Sequence, residues 1–576
     1  MDIAVFLTAA KAYPPPQNPD GTQMRFSYGT AGFRTVGTTL NSTVFRSGAL
    51  AAVRSRVTGR ACGIVITASH NPEFDNGIKL VDCTGGMLPT SWEADAESLA
   101  NAESDDEMKR VLEKLLALDE PAESLHPPPP PGLDAGNIPY VFLARDTRPT
   151  GPELAKAALA GAKAAGATVD DLGLNTTPQG HFAVYASYRG APNTEEAYYK
   201  RLAQGYASLL KEDGDHDDSS PVEPIFVDCA NGVGAGKFTK LINAVEETGV
   251  SIPIKLHNHE GTPGTLNNQV GADYVQKEQK PPKFGGFDAL PSNAKCVSID
   301  GDADRLVYFY TDENKKTTLL DGDKIAALVA THVSGLLKRC GESLLDPVTK
   351  KPLDVGVVQT AYANGASTKY IEQVLKMKTK CTPTGVKWLH PAAEAFDVGV
   401  YFEANGHGTA LFSETAIDRI RTVAENSDGS LPADALRALK SLLALTEAIN
   451  PAVGDALSGV LVVEAILQAK RWGLRDWNTM YSDLPSKQVK VKVQDRSVIT
   501  TTDAERRCMT PSGMQQAIDA KVSEFGNDAR AFARPSGTED VVRVYAEAAT
   551  REGADSLAKE VSKVVYTFAG GTGDAP

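Results

Sequence analysis

The sequence predicts an α/β protein of several domains, and three observations carry that prediction. The chain has 576 residues, too many for one hydrophobic core. Short apolar runs alternate with helical stretches, the order that produces sheets covered by helices. Several of the polar loops that stand out chemically follow directly on one of those apolar runs, at the end of a strand. Hydrophobic residues make 42% and charged residues 23%, a globular balance that excludes wholesale disorder. A net charge of −14 argues against nucleic acid as a partner, so any phosphate site must be a local cationic pocket. Seven scattered cysteines without a Cys-x-x-Cys pair point to reduced thiols and a cytoplasmic setting. The start, Met1 to Leu7, lacks the basic region and long apolar core of a signal peptide. No stretch approaches the roughly 20 apolar residues that span a bilayer, so no membrane association is expected.

Taken in order, Tyr28 to Arg34 is a glycine-punctuated segment ending in an arginine able to clamp an anion. Gly63-Ile64-Val65-Ile66 reads as a short buried strand leading into Thr67-Ala68-Ser69-His70-Asn71-Pro72. Proline bars an immediate helix, which leaves Ser69 as an exposed hydroxyl on a stiff turn, flanked by His70 and by Lys79 further on. Residues 91–118 read as helical and acidic, and the five prolines of 127–131 as a polyproline insertion. Tyr140 to Ala144 resumes as a strand delivering Arg145-Asp146-Thr147-Arg148, where the arginines either bind an anion or pair with Asp146. A helix over 151–166 follows, completing half of a parallel α/β unit.

Residues 193–211 read as a helix, and Glu212 to Glu223 as a solvated acidic loop. The strand Pro224 to Asp228 feeds Asn231 to Lys237, which fails as a Walker loop because Phe238 stands where Ser or Thr is required. His257 and His259 have metal-like spacing but no third ligand nearby. Cys296 to Ile299 then runs into Asp300-Gly301-Asp302-Ala303-Asp304-Arg305. Three carboxylates at alternate positions on one tight turn converge only around a cation, and hard oxygen ligands select magnesium, calcium or manganese. An EF-hand is excluded because Thr311 occupies the twelfth loop position.

The alternation repeats with a helix through Leu337, a strand over 355–358 and a turn at Thr384 to Lys387. Ala-Asn-Gly recurs at 230–232, 363–365 and 404–406, a hint of duplicated units. The strand Val398 to Phe402 opens onto Glu403-Ala404-Asn405-Gly406-His407, a mixture of donors and acceptors suited to sugar hydroxyls. The charged, threonine-rich stretch 493–510 reads as a linker or hinge surface. Arg534-Pro535-Ser536-Gly537-Thr538, with Arg543 on the next strand, gathers hydroxyls, amides and arginines into a cup for a phosphate dianion.

Serine loop, three-aspartate loop, sugar-type loop and phosphate cup together resemble the α-D-phosphohexomutase superfamily over essentially the full length. Two features resemble its N-acetylglucosamine-phosphate branch: the serine loop precedes Arg145 to Arg148, and Asn405 replaces the usual serine of the sugar loop. The resemblance implies a heart-shaped, four-domain architecture. Its three related α/β domains span 1–190, 191–310 and 311–455, and a smaller C-terminal α+β domain spans 456–576. It implies interconversion of N-acetylglucosamine 6- and 1-phosphates on the route to UDP-N-acetylglucosamine, with a bisphosphorylated sugar as activator. It assigns Ser69 as phosphoryl carrier, Lys79 and His407 to proton transfer, and Arg34 to electrostatic support. Magnesium would be held by Ser69, Asp300, Asp302 and Asp304, with His70 and Arg305 supporting the phosphoryl group. Glu403, Ala404 and Asn405 would hold the sugar, and Arg534 to Thr538 with Arg543 the non-reacting phosphate. The partner implied is a small sugar phosphate, with no obligate protein partner. A mutase preferring glucose or mannose phosphates and a non-catalytic relative remain as rival readings.

Overall fold

The computed structural model describes residues 1–118, 138–213, 223–426, 431–536 and 540–576. The proline run, most of the acidic loop, Gly537 and Thr538 lie outside the described residues. The chain forms two compact units. The first comprises Met1–Asp321, Asn405–Thr409 and Ile420–Leu474; the second comprises Gly322–Ala404, Ala410–Arg419 and Arg475–Pro576.

Two five-stranded sheets build the first unit. One contains β1 (Phe33–Val36), β2 (Cys62–Ile66), β3 (Asp75–Val81), β4 (Tyr140–Arg145) and β5 (Thr168–Leu174), in the order β1-β3-β2-β4-β5. The other contains β6 (Ile225–Asp228), β7 (Ile254–His257), β8 (Lys295–Ile299), β9 (Leu306–Thr311) and β10 (Thr317–Leu320), in the order β10-β9-β8-β6-β7. Both are mixed in the same way. β2 runs parallel to β4 and antiparallel to β3, and β8 runs parallel to β6 and antiparallel to β9. β2 and β8 are buried at every residue, which explains why β2 has no polar side chain and β8 only Lys295 and Ser298. The serine loop joins β2 to β3 and the aspartate loop joins β8 to β9, so both occupy the same kind of hairpin.

The helical stretch expected over 91–118 is two helices, Thr90–Asn101 and Asp105–Leu116. The break follows from Ser104, whose Oγ accepts the Glu107 amide and caps the second helix. Helix Glu195–Asp213 carries Arg201, which donates to the carbonyls of Thr446 and Ile449 at the end of helix Ala433–Ala448.

The second unit holds most of a sheet of β11 (Val355–Thr360), β12 (Lys378–Thr382), β13 (Val398–Phe402) and β14 (Gly408–Phe412), ordered β12-β11-β13-β14. The loop from β13 to β14 carries the expected sugar-binding residues. Next come β15 (Ser486–Lys492), β16 (Thr500–Thr502), β17 (Arg507–Thr510), β18 (Arg530–Pro535) and β19 (Val541–Glu547). An antiparallel sheet ordered β15-β19-β18 packs Val491 and Val544 against Leu557 and Val561 of helix Arg551–Phe568.

The stretch 493–510 is not a linker. β16 and β17 pair as a hairpin, and Val493, Ile499 and Cys508 are buried in the core of the C-terminal sheet. Three well-spaced apolar residues among charges suffice to fold it, which the composition of the stretch conceals. Ala-Asn-Gly is equivalent only at 230–232 and 363–365, where β6 and β11 turn into helices. At 404–406 it lies in a hairpin loop. Among the described residues no helix is long and apolar enough to cross a membrane.

Candidate active site

Strand β2 is followed by Thr67, whose hydroxyl donates to Asp146 Oδ2 at 2.7 Å and accepts the Ser69 amide at 3.0 Å. This side-chain turn swings the backbone into the left-handed region at Ser69, φ +53°. Arg148 completes the clamp. Its guanidinium donates to the carbonyls of Ser69, Asn71, Pro72 and Asp75, and its Nε to Asp146 Oδ2 at 3.0 Å. Of the two readings open for Arg148, pairing with Asp146 is the one found. Asn267 holds the same loop, donating to the Ser69 and Asn71 carbonyls at 2.8 and 3.1 Å.

Ser69 is 1% exposed, so the expectation of an exposed hydroxyl is wrong. The aspartate loop covers it, and Ser69 Oγ donates to Asp300 Oδ2 at 2.6 Å. Gly301 permits that approach, since a Cβ there would lie 3.0 Å from the Ser69 carbonyl oxygen and 2.8 Å from Asn267 Nδ2.

Asp300, Asp302 and Asp304 are buried and each offers an oxygen within 4.8 Å of the others. Asp302 Oδ2 accepts from Thr177 Oγ1 at 2.7 Å and from Lys79 Nζ at 3.0 Å, and Asp304 Oδ2 accepts from Lys79 at 2.7 Å. Asp302 Oδ1 is buried without a hydrogen-bond partner among the described residues. Burial, then Asp304 and Asp302, push the Asp300 carboxyl well above its ordinary value. Lys79 and Arg305 together set two positive charges against three carboxylates, which leaves the cluster short of positive charge and one oxygen without a partner. Both deficits fit a hard divalent cation held by the three aspartates and the Ser69 oxygen.

Lys79 projects from β3 into the cluster. Burial works against its charge, but Asp302 and Asp304 outweigh burial and hold the ammonium above its ordinary value. The surrounding carboxylates therefore set its charge. His407 Nδ1 lies 2.7 Å from the Asp304 carbonyl oxygen, which can only accept, so Nδ1 carries a hydrogen and Nε2 is the ring nitrogen not used in that bond. Its loop approaches β9 through Gly406, φ +85°, where a Cβ would fall 1.7 Å from the Leu306 carbonyl oxygen. Asn405 Oδ1 accepts the His407 amide at 2.9 Å. Arg34, on β1, donates to Asn71 Oδ1 at 3.1 Å. Arg305 Nε lies 3.8 Å from Asp304 and 3.9 Å from Asp300. His70 Nε2 is 4.0 Å from Asp273 Oδ1.

The second unit carries the remaining expected residues. Glu403 Oε1 accepts the Gly385 amide at 3.1 Å, and the Ala404 carbonyl accepts the Gly322 amide. Arg534 and Pro535 end β18, and the Ser536 amide donates to the Val541 carbonyl. Arg534 sits directly opposite Arg543 on β19, which in turn faces Lys490 on β15. Like charges opposite one another on a sheet are unfavourable without an anion between them, so this row of cations suits a phosphate. Arg543 Nε is buried without a partner among the described residues.

Thr177, Asn267, Arg148 and Lys490 were not expected in these roles. Lys490 had a signal in the alternation Lys487 to Lys492, whereas Asn267 had no local signal.

Repeated mixed sheets, a small antiparallel C-terminal sheet and a serine bound to a carboxylate cluster define a phosphohexomutase. Family models agree in detail. Those described as phosphoglucomutase/phosphomannomutase match residues 31–107 and 133–192 (alpha/beta/alpha domain I) and 489–564 (C-terminal domain). Those described as phosphoacetylglucosamine mutase AMG1 match 190–307 (domain II) and 321–472 (domain III). The chain is 46% identical to the phosphoacetylglucosamine mutase of Homo sapiens over 95% of each chain, and 42% identical to that of Arabidopsis thaliana over 99% of each. The solved structure of Aspergillus fumigatus N-acetylphosphoglucosamine mutase in complex with GlcNAc-6P and magnesium is 41% identical. It superposes with a TM-score of 0.86 over 99% of both chains. The chain belongs to the phosphoacetylglucosamine mutase family.

Proposed function

We propose that the protein interconverts N-acetylglucosamine 6-phosphate and 1-phosphate through a phosphoserine at Ser69 and a 1,6-bisphosphate intermediate. The carrying observation is Ser69 Oγ, 2.6 Å from Asp300 Oδ2 on a buried three-carboxylate cluster. In the first half-reaction the bond from phosphorus to Ser69 Oγ breaks and a bond to the free sugar hydroxyl forms, with the hydroxyl proton passing to a protein base. In the second, the other phosphoryl group of the bisphosphate returns to Ser69 Oγ and the proton is given back. Any phosphorylated serine lost to hydrolysis is restored from a bisphosphorylated sugar.

Magnesium, held by Asp300, Asp302, Asp304 and a phosphoserine oxygen, supplies charge neutralisation of the transferring group. The protein's own residues do the rest. Arg148 and Asn267 hold the serine loop, while Arg34, His70 and Arg305 support the phosphoryl oxygens. Lys79 and His407 hold or move the hydroxyl proton, His407 at Nε2. Glu403, Ala404 and Asn405 bind the sugar, with the Asn405 amide accommodating the N-acetyl group. Arg534, Pro535, Ser536 and Arg543 bind the other phosphate, and the family position of Gly537 and Thr538 adds them to that set. The reaction needs only a small sugar phosphate as partner, and we place it in the cytoplasm, in keeping with seven cysteines that form no disulfide.

A magnesium-dependent assay on N-acetylglucosamine 6-phosphate, beside glucose 6-phosphate and a Ser69→Ala control, tests this reading. Selective formation of the 1-phosphate, lost in the variant, is expected. Equal or better turnover of glucose 6-phosphate would remove the role given to Asn405. No isomerisation of any sugar phosphate after priming with a bisphosphate would leave a non-catalytic relative.

A further inference from the structure

Glu505 lies at the tip of the β16–β17 hairpin, in a stretch whose composition suggests only a linker. Asp503, Ala504 and Glu505 all adopt left-handed backbone, φ 52°, 54° and 68°. For non-glycine residues this conformation is unfavourable and persists only where surrounding contacts fix it. Arg506 closes the turn on Asp503, donating to Oδ1 at 2.6 Å and to the carbonyl at 3.1 Å. That leaves the Glu505 side chain to reach away from its own hairpin.

Its two oxygens engage two different elements of the second unit. Oε1 accepts from Arg534 Nη1 at 3.0 Å. Oε2 accepts from the Thr384 hydroxyl at 2.6 Å and the Thr384 amide at 3.0 Å. Arg534 is held from a second side by the Tyr362 hydroxyl, which accepts from Nε at 3.1 Å. The next amide after Thr384, that of Gly385, donates to Glu403 Oε1. Glu505 is about one-fifth exposed and Arg534 14%, so the pair is shielded enough for its geometry to be fixed. One carboxylate thus ties the arginine of the phosphate cup to the turn that orients the glutamate of the sugar loop.

We infer that Glu505 is a positioning residue: it aims the Arg534 guanidinium at phosphate and, through Thr384 and Gly385, fixes Glu403 relative to that phosphate. This rests on the roles proposed above for Arg534 and Glu403. Arginine suits such an arrangement because its planar fork serves several acceptors in fixed directions. Nε and Nη1 are engaged by the protein, and neither of those bonds uses Nη2.

The test uses the full chain with Glu505→Ala and Glu505→Gln, reading kcat and KM for N-acetylglucosamine 6-phosphate and calorimetric affinity for inorganic phosphate. Losing a charged hydrogen-bond partner is expected to raise KM and weaken phosphate binding about tenfold in Glu505→Ala. kcat and the thermal midpoint stay near the parent values. Glu505→Gln, which keeps an acceptor for Thr384, falls between, and it decides alone if the alanine variant does not fold. Combining Glu505→Ala with Glu403→Ala gives less than the sum of the two effects. Parent-like KM and phosphate affinity overturn the inference. So does a fall in kcat and thermal midpoint without a change in binding, or tighter phosphate binding, which would make Glu505 a competitor for the arginine. If the parent isomerises no sugar phosphate but Glu505→Ala still weakens phosphate binding, the proposed reaction falls while the positioning of Arg534 stands. If the parent binds no phosphate, both fall.

Discussion

Arg148 Nη2 lies 2.8 Å from the carbonyl oxygen of Ser69, so the serine is aimed through its own backbone by a fully buried guanidinium. That guanidinium reaches three further carbonyls of the loop and is itself fixed by Asp146. The loop has no regular secondary structure to hold it, and this fork replaces the missing ladder of hydrogen bonds.

Arg148→Lys keeps the charge and loses the fork. A serine displaced by a fraction of an ångström is expected to lower kcat about 100-fold. Arg148→Ala also strands Asp146 as a buried, unpaired carboxylate, with an expected loss of about 3–5 kcal/mol of stability. Steady-state kinetics and urea unfolding check the two expectations. Parent-like kcat in the lysine variant would show that the fork does not aim the serine.

Magnesium removal gives a second prediction. A ligand that binds only the folded state adds about 2.7 kcal/mol at a hundredfold excess over its Kd. Magnesium is therefore expected to raise the thermal midpoint of the parent protein, and a chelator to reverse the rise. In Asp302→Asn, Lys79 keeps its bond to Asp304, so the fold is expected to persist while the magnesium-induced rise shrinks. An undiminished rise in the variant would place the ion elsewhere.

A third prediction concerns pH and a site remote from the chemistry. Burial works to raise Glu195, but Lys237, Tyr199 and Lys240 outweigh it and bring the carboxyl down to about 2. A carboxyl with a depressed folded-state value contributes stability that is fully present above its unfolded value of 4.5 and is lost as the pH falls toward 2. After allowance for solvent screening the contribution is about 1 kcal/mol. The stability difference between the parent and Glu195→Gln is expected to be constant near neutrality and to close below pH 4.5. A difference that does not change with pH would contradict the assignment.

Much of this was legible in the sequence, and the reasons differ from place to place. β2 and β8 are buried on both faces, so their apolar runs announced them, and the loops at their ends stood out by contrast. The three aspartates were legible because like charges two residues apart demand a cation. The burial of Ser69 was not, because it depends on Asp300, 231 positions away in sequence. Asn267 and Arg148 act on the Ser69 carbonyl from segments 198 and 79 positions away, and backbone carbonyls leave no trace in the identity of the residue they belong to. Glu505 was hidden for a further reason. Its hairpin is closed by charged residues on the outside and by three scattered apolar ones within, a pattern too sparse for a period-two signal.

The central claim is that Ser69 carries the phosphoryl group. The most direct measurement is peptide mass mapping of the full chain after incubation with glucose 1,6-bisphosphate and magnesium, before and after addition of N-acetylglucosamine 6-phosphate. The account predicts one phosphoryl group, located on Ser69, that turns over into sugar bisphosphate when the substrate is added. Isomerisation proceeding with Ser69 unmodified, or with the phosphoryl group on another residue, would contradict it.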